Sequence, residues 1–400
     1  TLNFAGGFIR TNVTSTTVHD KSTITIALNS PVAPNLAQFG DAEGLLYIVP
    51  KHYLEANGFD AMAKKPLGTG PWKFEGQQFG EWAELESNTD YRDPARVPRF
   101  KTARIFGIAE PATRVAALRT GQVDIAQVDP NDVPGLQLAG FTMKPLRYGA
   151  LTVGFFLKGY DAAKIANHVE FRRALNLAID RQAIFKAIYP PGTAEILHGS
   201  GLYAPGAIGD DPGLQPYPYQ PDEARRLLAG IYHGEPITLW SFSLGFDPEQ
   251  LQVNDLIQGY WQKIGLNVTV QRIEYATFRP RAATQDYPGP AETAVFAPAP
   301  RPSMVSQILV YLVAISDGGT IDIAIDHQRA KSWYDALVQI KDPAMLQQRL
   351  REINREMYRE YWNFPLFLKH IPYAYQKTVA SWEPGAYHRE YIRLWSAVPA

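Results

Sequence analysis

Two pairs of acids come closest to a catalytic pattern. Glu84 with Asp90, and Asp322 with Asp326, could bring two carboxyl groups together, as glycoside hydrolysis requires. A chain with 40 acidic residues supplies such spacings by chance, and "IDIAIDH" around the second pair reads as the start of a helix or loop. The eight histidines, at 19, 52, 168, 198, 233, 327, 370 and 388, stand singly, without the i,i+4 pairing of a helical metal site. Cysteine is absent, which removes thiolate metal sites, disulfides and thiol nucleophiles together. Gly68-Thr69-Gly70-Pro71 could in principle cradle phosphate, yet it has neither the GxxxxGK[ST] frame nor a GxGxxG opening a helix. Neither G-x-S-x-G nor HExxH occurs. No catalytic constellation, metal-ligand set or cofactor motif stands out in these residues.

Composition narrows the ligand more than the chemistry. Lysine plus arginine (39) nearly cancels aspartate plus glutamate (40), so no field of one sign would recruit nucleic acid or an anionic membrane. The aromatic share is high, with 21 Tyr, 19 Phe and 8 Trp, and such side chains build cores or line clefts that grip organic ligands. The longest apolar run, "MVSQILVYLVAIS" (304–316), is too short to span a bilayer and reads as a buried helix or strand. Thr1 to Arg10 has neither the basic start nor the apolar core of a signal peptide, so the chain reads as a mature or trimmed form.

The elements that must position any site follow from periodicity. "STITIALN" (22–29) alternates as a strand, with Ile24, Ile26 and Leu28 expected to face a core. "GTGPW" is a tight turn launching a strand through Trp72 and Phe74, and "EWAELES" is its hairpin partner. "KTARIFGIAE" is a further strand. Pro111 then opens a helix with Val115 and Leu118 inward, Gly121 stops it, and a short buried strand covers Val123 to Ala126. Asn167 and Glu170 have capping-box spacing, Phe171, Ala174, Leu175 and Ala178 form a helical face, and Asp180 can cap a second helix carrying Ile184 and Ile188. Pro221 and Gly230 bracket another helix. "EPITLWSF", a helix over 248–264 stopped by Gly265, and "LNVTVQRI" make a β-α-β unit, which favours a parallel sheet. The Pro-rich 287–302 leaves room only for a short strand at Thr293 to Phe296. A long helix from Asp342-Pro343 to about Tyr361 precedes the late strand "FPLFLKHIPYAYQ".

Taken in order, "PLGTGPWKFE", "ESNTDYRD", "EFRRALNLAIDRQAIFKAIY" and "ARRLLAG…ITLWSF…QGYWQKIGLNVTV" resemble the family 5 extracellular solute-binding proteins of ABC transporters, and the likeness continues through "NREMYREYWNFPLF". The resemblance implies an α/β, two-lobe periplasmic-binding-protein architecture (type II, Venus flytrap), with mixed sheets, a hinge and an interlobe cleft. The family's opening segment "F-x-L-R-x-G-V-x-F-x-D-G" and most of its small extra lobe are absent from these residues. The implied division is 1–63 as a remnant of the extra lobe and entry strands, 64–158 plus 379–400 as lobe I, and 159–378 as lobe II.

The resemblance implies capture of a peptide-like, opine-like or oligosaccharide solute and delivery to a membrane permease, by a monomer in the periplasm or outside the cell, membrane-associated through the transporter. No nucleic acid and no transmembrane segment are expected. A ligand-sensing domain for a receptor or regulator is the alternative, and a glycoside hydrolase-like enzyme a remote one. Strand-end positions facing the implied cleft nominate Tyr148, Thr152, Trp240, Phe242, Phe296 and Arg301. The aromatics among them suit a core equally, and Arg301 could be a surface residue or an anion clamp. Peptide-binding relatives place an Asp in the Pro-rich stretch, against the ligand's α-ammonium. "FAPAPRPSM" holds no acid, so free α-amino peptides are expected to bind poorly.

Overall fold

The computed structural model describes residues 13–29, 49–155, 164–202, 205–242, 249–284, 289–296, 323–385 and 392–400, with single positions at 305, 308 and 311–313. Two compact units emerge. Unit 1 comprises Thr1–Leu45, Gly149–Tyr189 and Ala194–Lys369, and unit 2 comprises Leu46–Tyr148, Pro190–Thr193 and His370–Ala400. Two of the crossings between the units fall after Tyr148 and after Lys369. Both lie inside strands, where periodicity gives no signal because the alternation simply continues.

The first described element is an antiparallel hairpin, β1 (Val13–Val18) with β2 (Ile24–Leu28). Its strand assignment agrees with the alternation, but its expected inward face does not. Ile24 and Ile26 are 55% and 42% exposed, and only Leu28 packs against the core of unit 1. Among the described residues only the Leu28 end of that face reaches the core, so alternation marks the strand but not how much of it is buried.

Unit 2 begins with α1 (Lys51–Lys64), which buries none of its residues. A three-stranded antiparallel sheet follows, β3 (Trp72–Gln78), β4 (Trp82–Ser87) and β5 (Thr102–Phe106), in that order. The GTGPW turn launches β3, as its residue types require. The "SNTDY" turn is tied back to it, since Asn88 Nδ2 donates to Gly70 O (3.0 Å) and Asn88 N to Pro71 O. Helix α2 (Pro111–Arg119), with Pro at its first turn and Gly121 at φ +78 just beyond, buries Val115 and Leu118. β6 (Ile125–Gln127), α3 (Val133–Leu138) and the long β7 (Thr142–Phe155) complete this part of the chain. Val115, Leu118, Ala126, Val128, Val133 and Leu136 form the core.

Unit 1 resumes with α4 (Val169–Leu177) and α5 (Arg181–Ile188). Asp180 caps α5 through Ala183 N (2.9 Å), but α4 has His168 at its cap and no side-chain cap bond, so the expected Asn167–Glu170 box does not form. The polar residues of "FRRALNLAIDR" work as a latch. Arg172 donates to Glu360 O, Ala166 O and Asn167 O, while Arg181, buried and pushed down to about 10 by that burial, donates to Pro365 O and to Asn176 Oδ1. Buried guanidinium groups need such carbonyls to replace water.

The remaining elements are β8 (Ala194–Ile196), α6 (Pro221–Leu228), β9 (Ile237–Ser241), α7 (Gln250–Lys263), β10 (Val268–Arg272), α8 (Tyr275–Thr284), β11 (Ala291–Phe296), α9 (His327–Leu337), α10 (Pro343–Arg359) and β12 (Phe364–Tyr375). β10 and β11 flank β9 in parallel, as the β-α-β reading required, and β11 pairs antiparallel with β7. β12 pairs β8 while in unit 1 and β6 once in unit 2. β13 (Val379–Ser381) with β14 (Val398–Pro399) ends the chain. Of the apolar run 304–316, Val305, Ile308, Leu312 and Val313 are described and fully buried.

Candidate functional site

In open α/β sheets ligands collect beyond the carboxyl ends of parallel strands. In unit 1 that is where β9 and β11 finish. Register places Phe296 opposite Thr152 on β7, and Trp240 opposite Ala294, so three of the nominated positions share this sheet end. Phe242 follows two residues beyond Trp240. Tyr148 is the last β7 residue of unit 2, one step before the chain enters unit 1. Arg301 and the acid-free "APAPRPSM" lie outside the described residues.

Packing separates these positions. Trp240 is 8% exposed, its Nε1 donates to Glu292 Oε2 (2.8 Å), and the Arg281 guanidinium lies 4.5 Å over its ring. Phe242, 2% exposed, stacks on Phe278 at 4.5 Å. Both are core members here, the packing option that their residue types always carried.

Sequence reasoning missed the charged part of this sheet end. Gln250, at the start of α7, is fully buried and donates through Nε2 to Val295 O (2.6 Å), while Asn254 Nδ2 donates to Ser241 Oγ (2.8 Å). These bonds fix the amino end of α7 over the ends of β9 and β11. Glu249, just before that helix, pairs with Lys369 Nζ, whose side chain is only 7% exposed. Burial pushes the Lys369 ammonium down to about 7. Tyr189, buried beside Phe367 with no partner for its hydroxyl, is pushed well up, by burial first and then by the Glu249 charge. The signal in the sequence was a lone charge in "FPLFLKHIPYAY", an otherwise apolar strand.

Of the acid pairs, Asp326 caps α9 through Arg329 N (3.0 Å), and Asp322 lies outside the described residues. Among the described residues no group of His, Cys, Asp or Glu has metal-holding geometry. No described helix is long and apolar enough to cross a membrane.

With this α/β arrangement of mixed sheets, the molecule has the fold of periplasmic binding proteins. The pattern of bacterial extracellular solute-binding proteins, family 5 Middle, matches residues 3–307, and the chain belongs to that family. It is 29% identical over 239 residues to the di/tripeptide-binding protein 3 of Pseudomonas aeruginosa, which covers 57% of this chain and 43% of that protein. The chain thus spans under half the length of that relative. The Helicobacter pylori periplasmic binding protein DppA, solved with the peptide STSA, superposes with a TM-score of 0.72 at 22% identity, over 99% of this chain and 76% of that one. AgaA of A. tumefaciens R10, solved with agropinic acid, gives 0.74 at 19% identity, over 100% and 81%.

Proposed function

We propose that the whole protein is the solute-binding component of an ABC importer, holding a small organic solute outside the cytoplasm and handing it to a permease without transforming it. Family membership across residues 3–307 is the observation that carries this reading. The ligand class is peptide-like, opine-like or oligosaccharide, and the relatives' own ligands, di- and tripeptides, STSA and agropinic acid, are consistent with that range. The unit 1 sheet end is the proposed contact surface, with Thr152, Phe296 and the Lys369–Glu249 pair nearest the ligand, Tyr148 adjoining and Arg301 as a further anion-binding candidate. Trp240 and Phe242 stay in the proposal as the packed floor under that surface.

The mechanism is selection. A ligand that binds one conformation better than another shifts the population by its differential affinity, and the permease reads the favoured form. No proton or group transfer is involved. The test is ligand-induced thermal stabilisation of the full-length protein with dipeptide, opine and oligosaccharide pools, which should follow mass action. Steady turnover of a stabilising ligand would refute the reading.

A further inference from the structure

Two adjacent carboxylates, Asp210 and Asp211, lie inside unit 1, each only 7% exposed. They belong to the segment Gly206–Leu214, which forms neither helix nor strand and reverses at Gly206 (φ +86) and Gly209 (φ +99). Neighbouring anions repel, and each resists leaving water, so such a pair needs cations and donors around it. One face of α10 supplies part of them. Arg355 Nε donates to Asp211 Oδ2 (2.6 Å), and Arg351 Nε to Asp210 O (3.0 Å). Gln347 Oε1 accepts from Gly209 N (2.9 Å). Asn354 ties two parts of the loop together, since its Nδ2 donates to Gly209 O (3.2 Å) and its Oδ1 accepts from Ser200 N (3.1 Å).

The Asp210 carboxylate itself is bonded by His198 Nε2 (2.9 Å, at Oδ1) and by Gly206 N (2.7 Å, at Oδ2). His198 is the fixed half of this contact, because β8 pairs with β12 and Leu197 N, one residue earlier, bonds Leu366 O. The hydrogen bond to Asp210 comes first in raising the His198 imidazole above the ordinary histidine value, burial opposes it, and the Asp210, Asp211 and Glu195 charges add to it. Burial pushes the Asp210 carboxyl up, but the bonds from His198 and Gly206 N outweigh it and hold the group low. Asp211 is likewise held low against burial, by Arg355, Gly213 N and Arg351. The remaining charge on this face of α10, Glu352, bonds Arg349 and feels Arg355. Of these residue types only histidine changes its charge near neutral pH.

We propose that His198 is a releasable latch: with its proton on it holds Gly206–Leu214 against α10, and loss of that proton lets the segment open locally while the rest of unit 1 stays folded. A neutral imidazole still donates one hydrogen bond to Asp210 but no longer offsets its charge, so the contact falls to about half its charge-assisted strength. The two buried carboxylates then have Arg355 and Arg351 alone to balance them. A segment built of turns opens at lower cost than a core helix or strand, so the loss is felt there first. The closed form favours the protonated imidazole; closure is therefore complete on the acid side and is lost as pH rises through the folded His198 value.

The test is residue-resolved hydrogen exchange on the full chain from about pH 6 to about pH 9, each rate divided by the intrinsic rate at that pH, beside an NMR titration of the His198 ring. Protection at Gly206, Gly209 and Gly213 should fall by about 10-fold or more across the range, the difference between a charge-assisted and an ordinary hydrogen bond, with its midpoint at that of the ring. The amides of Leu350 and Ile353, inside α10, should stay better protected than the segment throughout. His198→Gln, which keeps a donor but cannot titrate, should show segment protection that does not vary with pH. Constant protection in the wild type would overturn the proposal, as would a fall that persists in His198→Gln or one centred away from the ring's midpoint. Equal protection in the segment and in α10 at every pH would overturn it too, since the segment would then open only when the whole unit unfolds.

Discussion

Replacing Lys369 with Met tests the unit 1 site at its most exposed physical assumption, that a charged pair is held out of water. Lys369 and Glu249 side chains are 7% and 16% exposed, so the substitution leaves a carboxylate with little solvent and without its ammonium partner. Breaking a buried pair by removing one member costs about 3–5 kcal/mol. A unit of this size shifts its midpoint by roughly 2–4 °C per kcal/mol, which predicts a fall of about 6–20 °C in Tm. The double variant Lys369→Met, Glu249→Gln removes both charges and should recover most of that loss, because replacing a buried pair with neutral groups is often close to neutral.

The pH dependence separates two regimes: the charged pair, and with it the fall in Tm, belongs below about pH 7, and above it folded Lys369 is neutral. Folded Lys369 sits at about 7, while a free lysine titrates near ~10.4. Between those values the unfolded chain binds the extra proton, so stability rises with pH, by up to ~1.4 kcal/mol per pH unit. Wild type should show this rise in denaturant titrations from pH 7 to 10, and Lys369→Met should lose it. An unchanged Tm in Lys369→Met, with the same pH slope as wild type, would refute the buried-pair reasoning and remove Lys369 from the site.

Three other perturbations are read as simply. His198 is raised by its hydrogen bond to Asp210 (2.9 Å), so its stabilising contribution is complete below its unfolded pKa and lost as pH rises through the folded one; His198→Gln should remove that loss and cost about 1.5–3 kcal/mol at pH 5.5 in urea melts. Asp342→Ala deletes the cap on Ala344 N and Met345 N of α10 and should lower stability by about 0.5–2 kcal/mol, whereas Asp342→Asn should keep most of it. Trp240→Phe strips a donor from the buried Glu292 and should cost about 1–3 kcal/mol by chemical denaturation; full stability with lost ligand affinity would instead make Trp240 a contact residue.

Local structure and family membership were legible in the order of the residues. Helix starts at Pro111, Asp180, Pro221 and Asp342, stops at Gly121, Gly230 and Gly265, and the β-α-β order of β9, α7 and β10 depend on backbone preferences and on patterns within one element, which neighbouring residues carry. Tertiary structure decided what those patterns lay against. It left Ile24 and Ile26 exposed, and it turned Trp240 and Phe242 into core residues by placing Glu292 and Phe278 beside them. It set two of the unit boundaries inside continuous strands. It also brought Glu249 to Lys369 across 120 positions, and Arg114 to Ile108 and Gln127. Such partnerships depend on distance in space, and a local pattern of residue types carries no record of which remote segment arrives, because burial and pairing are fixed only when the layers meet.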